Sequence, residues 1–170
     1  MPIRPAQFED AQQIAGVHVA SWRVAYRGIL PDSMLDSLSV EKWTELWQER
    51  LSGVGETTNL VLVLNDQIVG WVAVGPARDA DCDRRRTQQV YGIYLDSRCW
   101  GQGHGKALYL AGEDQMRKRG AIAAILWVLR DNLRARRFYE GRGFALDLAG
   151  TERNHNGDSS IVEVRYRKEL

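Results

Sequence analysis

The chain has 170 residues, enough to bury a substantial core in one domain without disulfides or metal. Apolar residues make up 44% and charged residues 26%, and Lys+Arg 23 against Asp+Glu 22 leaves a net charge of +1, so no global field argues for nucleic acid or an anionic membrane. No apolar run approaches the roughly 20 residues that span a bilayer, Met1 to Pro5 has no signal-peptide core, and Cys82 and Cys99 are too few for a disulfide framework. The expectation is a cytoplasmic protein with no metal.

In chain order, Ile3-Arg4 reads as a brief strand between two prolines. Glu9 and Asp10 start a helix whose positions Ile14, Val17, His18, Ala20 and Ala25 run on through Trp22 and Tyr26, until Gly28 and Pro31 end it. Asp32 predicts an N-cap for a short helix over 33–38. Ser39 caps a further helix in which Val40, Trp43, Leu46, Trp47 and Leu51 recur at helical spacing. The runs 59–64 and 68–74, joined at Asn65-Asp66, predict a hairpin that Gly75-Pro76 breaks. Residues 77–86 are polar, include Arg84-Arg85-Arg86, and read as the one mobile loop. A strand follows over 87–95.

Three glycines then fall at every second position, Gly101, Gly103 and Gly105, before a helix from Lys106 to Arg119. That helix carries the pairs Glu113–Arg117 and Asp114–Lys118 and stops at Gly120. Residues 122–129 are apolar on both faces, as a strand covered on each side requires. Asn132 caps a helix bearing Ala135, Phe138 and Tyr139 on one face, closed by Gly141 and Gly143. Strands over 144–149 and 161–167 flank a turn-rich tip at 153–158. With no repeat and no linker, residues 1–170 are expected to form one α+β domain, a mixed sheet of about seven strands with helices on both faces.

A strand that hands over to a helix through three glycines exposes the free amides and the positive dipole end of the helix, a place that binds phosphate. Two nucleotide motifs fail here. A P-loop needs glycine at 100 and a hydroxyl at 107, where Trp100 and Ala107 stand, and G-x-G-x-x-G needs glycine at 106, where Lys106 stands. A second motif lies downstream, Asn132-Leu-Arg-Ala135-Arg-Arg-Phe138-Tyr139-Glu-Gly-Arg-Gly143-Phe144, which reads N-x-x-A-x-x-F-Y-x-x-x-G-F. Together with strand–x-G-x-G-x-G–helix, it resembles the GNAT superfamily of acyl-CoA-dependent N-acetyltransferases. The stretch Trp22 to Pro31 is also similar to small bacterial members, and the resemblance covers most of the chain, most strongly Val90 to Phe144.

The resemblance implies a GNAT fold, a mostly antiparallel twisted sheet splayed between 87–96 and 121–129, with acetyl-CoA as co-substrate and no metal. It puts the family's cofactor turn, Arg/Gln-x-x-Gly-x-Gly, on Trp100 to Gly105. Main-chain amides around Gly101, Gln102, Gly103, His104, Gly105 and Lys106 then hold the pyrophosphate, and the main chain of Ile93, Tyr94 and Leu95 pairs with the pantetheine arm. Trp100 departs from the family's basic or amide side chain, and Arg98 is the candidate replacement. Asn132 and Ala135 meet the pantetheine, Arg136 or Arg137 the adenosine phosphate, and Tyr139 serves as general acid. Trp22 and Tyr26 are candidates for the acceptor pocket, although core packing explains them as well.

Amine attack on a thioester makes an oxyanion, which the Leu95 amide is expected to stabilise. The leaving thiolate needs a proton, and a phenol of pKa about 10 matches that demand. No carboxylate lies within 90–95, so the base stays open among Asp96, Asp79, Asp81 and His155. The expected activity is acetyl transfer to a primary amine, on a small molecule, peptide or protein, by direct attack in a ternary complex. The alternatives are a non-catalytic CoA-binding sensor or assembly module, and an enzyme acting on a protein N-terminus or aminoacyl-tRNA. A homodimer is in keeping with the family, and the acceptor itself is not legible.

Overall fold

The computed structural model describes residues 2–53, 55–148, 152–155 and 158–170, with the backbone alone for 153–155 and 158–160. Strand β1 (Ile3–Pro5) leads into helices α1 (Ala11–Ala25), α2 (Asp32–Asp36) and α3 (Val40–Ser52), then β2 (Thr58–Leu64), β3 (Gln67–Pro76) and β4 (Thr87–Leu95). After α4 (His104–Lys118) come β5 (Ala123–Leu129), α5 (Leu133–Glu140), β6 (Ala145–Leu146), β7 (Arg153–His155) and β8 (Asp158–Glu169).

Alternation along β2 and β3 decides how these layers stack. Leu60, Leu62, Val72 and Val74 point to one side and pack on Leu108, Tyr109 and Met116 of α4. Val61, Trp71 and Ala73 point to the other and meet Ala11, Ile14 and Ala15 of α1 and Trp47 of α3. Helices therefore cover both faces. Leu62, Leu108 and Met116 are fully buried, positions where truncation to alanine costs about 2–5 kcal/mol.

The strand order is β1-β2-β3-β4-β5-β8-β6, with β7 paired to β8. Every pairing is antiparallel except β4 with β5. That parallel pair runs only from Thr87–Ala123 to Val90–Leu126, after which the two strands part. The parting begins at a bulge. Ala73 pairs with Gly92 and Val74 with Val90, so Tyr91 is an extra residue that bends β4 away from β5. The splay expected between 87–96 and 121–129 lies here.

Several local expectations shift. The short β7 falls in the stretch read as a turn-rich tip, and makes an eighth strand. Pro31, extended at φ −56 and ψ 132, holds the N-cap position of α2, while Asp32 is inside the helix and pairs with Arg27 at 2.9 Å. Helix α4 starts two residues early, at His104, and ends as read: Gly120 has φ +77, and the Ala121 and Gly120 amides donate to Met116 O and Arg117 O at 3.2 and 2.9 Å. The loop 77–86, expected mobile, is buckled down. Buried Arg165 of β8 holds Asp79 at 2.9 Å, Asp81 at 2.6 Å and Asp147 at 2.9 Å. Among the described residues no helix is long and apolar enough to cross a membrane.

Candidate active site

The open end of β4 sets the geometry. The Asp96 amide donates to Val69 O at 2.7 Å, which makes Gly70–Leu95 a non-hydrogen-bonded pair of the ladder. The N–H and C=O of Leu95 therefore point away from β3, toward the gap left by β5, and by the same parity so do those of Ile93. Those of Tyr94 face β3. Of the three residues expected to offer main-chain contacts, Ile93 and Leu95 have the direction for it.

The Leu95 carbonyl accepts the Trp100 indole N–H at 2.8 Å. The Arg134 guanidinium sits over the same indole, 3.2 Å from the ring centroid. Trp100 thus ties the end of β4 to α5. Beyond it, Gly101 and Gly103 adopt φ +75 and +84, a region costly to side-chain-bearing residues, and Gly103 is the N-cap of α4. The first intrahelical bond runs from Ala107 N–H to Gly103 O at 3.1 Å, so the amides of the preceding turn emerge at the helix N-terminus. Gly105 serves closeness instead. A Cβ there meets Phe138 at 3.2 Å.

A cleft of about 500 Å³ runs through the splay. It is bordered on the α4–α5 side by Gly101, Gly103, Gly105, Lys106, Asn132 and Ala135, and on the α1 side by Trp22 and Tyr26. Ile93, Tyr94, Leu95 and Tyr139 also border it. Asn132 caps α5 as expected, its Oδ1 accepting the Ala135 amide at 3.0 Å. Tyr139 is buried edge-on between Phe138 and Phe144, at centroid distances of 5.3 and 5.8 Å. Burial pushes its phenol well above the ordinary tyrosine value, with a further contribution from Tyr94. The Tyr26 and Tyr94 hydroxyls share a hydrogen bond of 2.8 Å, and burial raises the Tyr26 phenol to about 12.

Five of the residues expected to meet the cofactor lie outside the cleft lining: Arg98, Gln102, His104, Arg136 and its alternative Arg137. Arg98 is clamped on Asp96 at 2.6 Å, and its carbonyl accepts the Gln102 side chain at 3.0 Å. Arg136 donates to the Tyr166 hydroxyl and Arg130 O, each at 2.9 Å. The charged groups that do border the cleft include three to which the sequence assigned no site role, Arg134, Arg142 and Glu163. Arg142 stacks on Phe138 at 3.6 Å from the ring centroid and donates to Phe138 O at 2.5 Å. Arg134 was within reach of a helical wheel, since it shares a face with Phe138 four residues on. Glu163 sits on β8 opposite Leu129, and no local motif marks it.

The carboxylates considered as bases are held elsewhere. Asp96 is on Arg98, and Asp79 and Asp81 are on Arg165, with Asp79 also accepting the Trp127 indole N–H at 3.0 Å. The His155 side chain lies outside the described residues. Ligand atoms of Asp79, Asp81 and Cys82 come within 4.8 Å of one another, but both carboxylates are already ion-paired with Arg165.

On the α1 face His18 is wedged among aromatic rings, 3.8 Å from Trp43 and 5.2 Å from both Trp71 and Tyr94, centroid to centroid. Burial lowers its pKa to about 3, with a smaller contribution from Arg50, so the ring is neutral.

A model of the acetyltransferase (GNAT) family matches residues 21–144. An uncharacterized N-acetyltransferase of Bacillus subtilis, YuaI, is 32% identical over 134 residues, which are 76% of this chain and 72% of that protein. Spermidine N(1)-acetyltransferase of Thermoplasma acidophilum is 24% identical over 171 residues, 96% of each chain. Among solved structures, the PaiA N-acetyltransferase of Thermoplasma acidophilum in complex with coenzyme A has the same fold, with a TM-score of 0.79 at 21% identity over 99% of this chain and 98% of that one.

Proposed function

The chain belongs to the acetyltransferase (GNAT) family, and from that premise we propose that it moves the acetyl group of acetyl-CoA directly onto a primary amine held in the same complex. The observation that carries this reading is the convergence of the glycine turn, the unpaired edge of β4 and Tyr139 on one cleft. The amides at the start of α4 accommodate a pyrophosphate, and the Ile93 and Leu95 edge takes an extended amide-bearing arm as a strand partner. Lys106, Arg134 and Arg142 supply the positive charge that the sequence reading assigned to Arg98 and to Arg136 or Arg137.

In the reaction the amine nitrogen bonds to the thioester carbon. The Leu95 N–H stabilises the resulting oxyanion, and the C–S bond then breaks. Tyr139, protonated at neutral pH, gives its proton to the departing sulfur, although burial makes it a weaker acid than a free phenol. The amine's proton passes to Glu163, the carboxylate that borders the cleft, directly or through ordered water.

The test is calorimetric titration with acetyl-CoA together with assay of thiol release. Wild type is expected to bind, and Gly103→Glu to lose binding. Tyr139→Phe is expected to lose about 10²-fold or more in kcat while its acetyl-CoA affinity stays within about threefold of wild type. Absence of wild-type binding sinks the cofactor reading, and full turnover by Tyr139→Phe removes that residue from the acid role.

A further inference from the structure

A second cavity, of about 750 Å³, lies on the α1–α3 face of the sheet. Trp22, Gln89, Tyr91 and Tyr94 border both this cavity and the cleft, so the two spaces meet at those side chains. Its interior is aromatic, with His18 bordering it among Trp43, Trp47 and Trp71. His18 is 3% exposed, and neither ring nitrogen has a hydrogen-bond partner among the described residues. A buried polar group left so is costly, and a ligand group that reaches it relieves the cost.

The rim carries two guanidiniums. Arg50 lies over Trp43 and Trp47, at 5.7 and 5.2 Å from the ring centroids, and Arg78 lies over Tyr91 at 4.3 Å. Neither forms an ion pair among the described residues. Burial lowers the Arg50 pKa and the nearby Arg78 charge lowers it further, the mark of two like charges without enough counter-charge. Two carboxylates border the cavity. Asp79 is ion-paired with Arg165, and neither Asp79 nor Glu49 is ion-paired with Arg50 or Arg78, so both guanidiniums keep room for an anion. Aromatic walls often receive cations, but here the arginines already cover faces of Trp43, Trp47 and Tyr91.

We infer that this cavity holds the body of the acceptor, and that the acceptor is a primary amine carrying a carboxylate at the far end of an apolar body. The carboxylate sits on Arg50 and Arg78, the body lies along the Trp43 wall, and the amine reaches the cleft past Tyr94. The inference rests on the acetyltransferase reading and gives it a substrate class. Polyamines are disfavoured because their second ammonium would face the two guanidiniums that recruit the anion.

The experiment compares acceptors that differ at one end: γ-aminobutyrate with putrescine, 4-(aminomethyl)benzoate with 4-(aminomethyl)benzamide, and spermidine as the polycation. Thiol release gives kcat/KM for each. In wild type the carboxylates are expected to be favoured by roughly tenfold or more, the worth of one charge-assisted contact. In the double variant Arg50→Gln, Arg78→Gln the preference is expected to vanish through a raised KM for the carboxylates, with kcat and acetyl-CoA binding unchanged. Equal or better use of spermidine and putrescine by wild type overturns the inference and leaves the acetyltransferase reading standing, as does a preference that survives in the double variant. Loss of the reading itself has a different signature, acetyl-CoA failing to bind or binding without thiol release from any member of the panel. Acetyl-CoA binding by the double variant shows that it is folded, and each single substitution is expected to give an intermediate ratio.

Discussion

At Tyr139 and His18 the same force, burial, fixes two protonation states in opposite senses. It holds the phenol protonated, though as a weaker acid than a free tyrosine, and keeps the imidazole unprotonated, which forbids a proton donor there. The histidine has a measurable consequence. The unfolded chain protonates His18 near pH 6.5 and the folded chain only near pH 3. Below pH 6.5 the unfolded state therefore takes up a proton that the folded state refuses, and stability falls as pH drops toward 3; above pH 6.5 the residue contributes no slope. At pH 5 the loss from this group is about 2 kcal/mol. Unfolding free energies from urea titrations at pH 7.5 and pH 5 are expected to differ by that much more in wild type than in His18→Phe. Identical differences in the two proteins rule the argument out. Among residues named from the sequence, Tyr139 and Asn132 stand in the cleft because a motif ties residue type to position. Arg136 does not, since nothing local shows that Tyr166, thirty residues on, holds it by a 2.9 Å hydrogen bond.

On the scale of elements, β4 and the turn after it show what a sequence can and cannot announce. The glycine turn was legible because Gly101 and Gly103 take backbone angles that few other residues tolerate. The bulge at Tyr91 was not, because it exists only in the register with β3, whose partner residues lie some seventeen positions away. The same holds for Trp100. Read alone it is a departure from a family pattern; in place it pins Leu95 O and supports Arg134. Replacing Trp100 by alanine releases both contacts, and the expected result is a raised KM for acetyl-CoA with a loss of about 1–3 kcal/mol in stability. Paired thiol-release kinetics and urea unfolding check this. Unchanged acetyl-CoA KM would show that the end of β4 holds its course without the indole. Strand β6 is another local misreading. It was read over 144–149, yet only Ala145 and Leu146 pair with β8, and Leu148 is 89% exposed.

Over the whole molecule, apolar alternation in β2 and β3 and the fully apolar β5 made the two-faced sheet readable, since a strand's period says directly which side each residue meets. What holds the irregular parts is long-range. Arg165 gathers Asp79 and Asp81 from one loop and Asp147 from the end of β6, and its guanidinium is held far above the ordinary arginine value by hydrogen bonds to Asp81 and Asp79 and by the Asp147 charge, against the burial that opposes it. Removing it leaves partly buried carboxylates without a counter-charge, a change that costs about 3 kcal/mol or more. Arg165→Gln is expected to unfold earlier in urea and to let trypsin cut quickly at Arg84 to Arg86 under native conditions. Native-like resistance at those arginines would mean that the loop is held by something other than this buckle.

The cleft between β4 and β5 passes through the sheet, reaching the α4–α5 side at one end and the α1 side at the other. For a two-reactant transfer this is a matter of traffic. In the transfer proposed above, donor and acceptor would arrive through separate doors, so that neither has to queue behind the other and each product has an exit of its own.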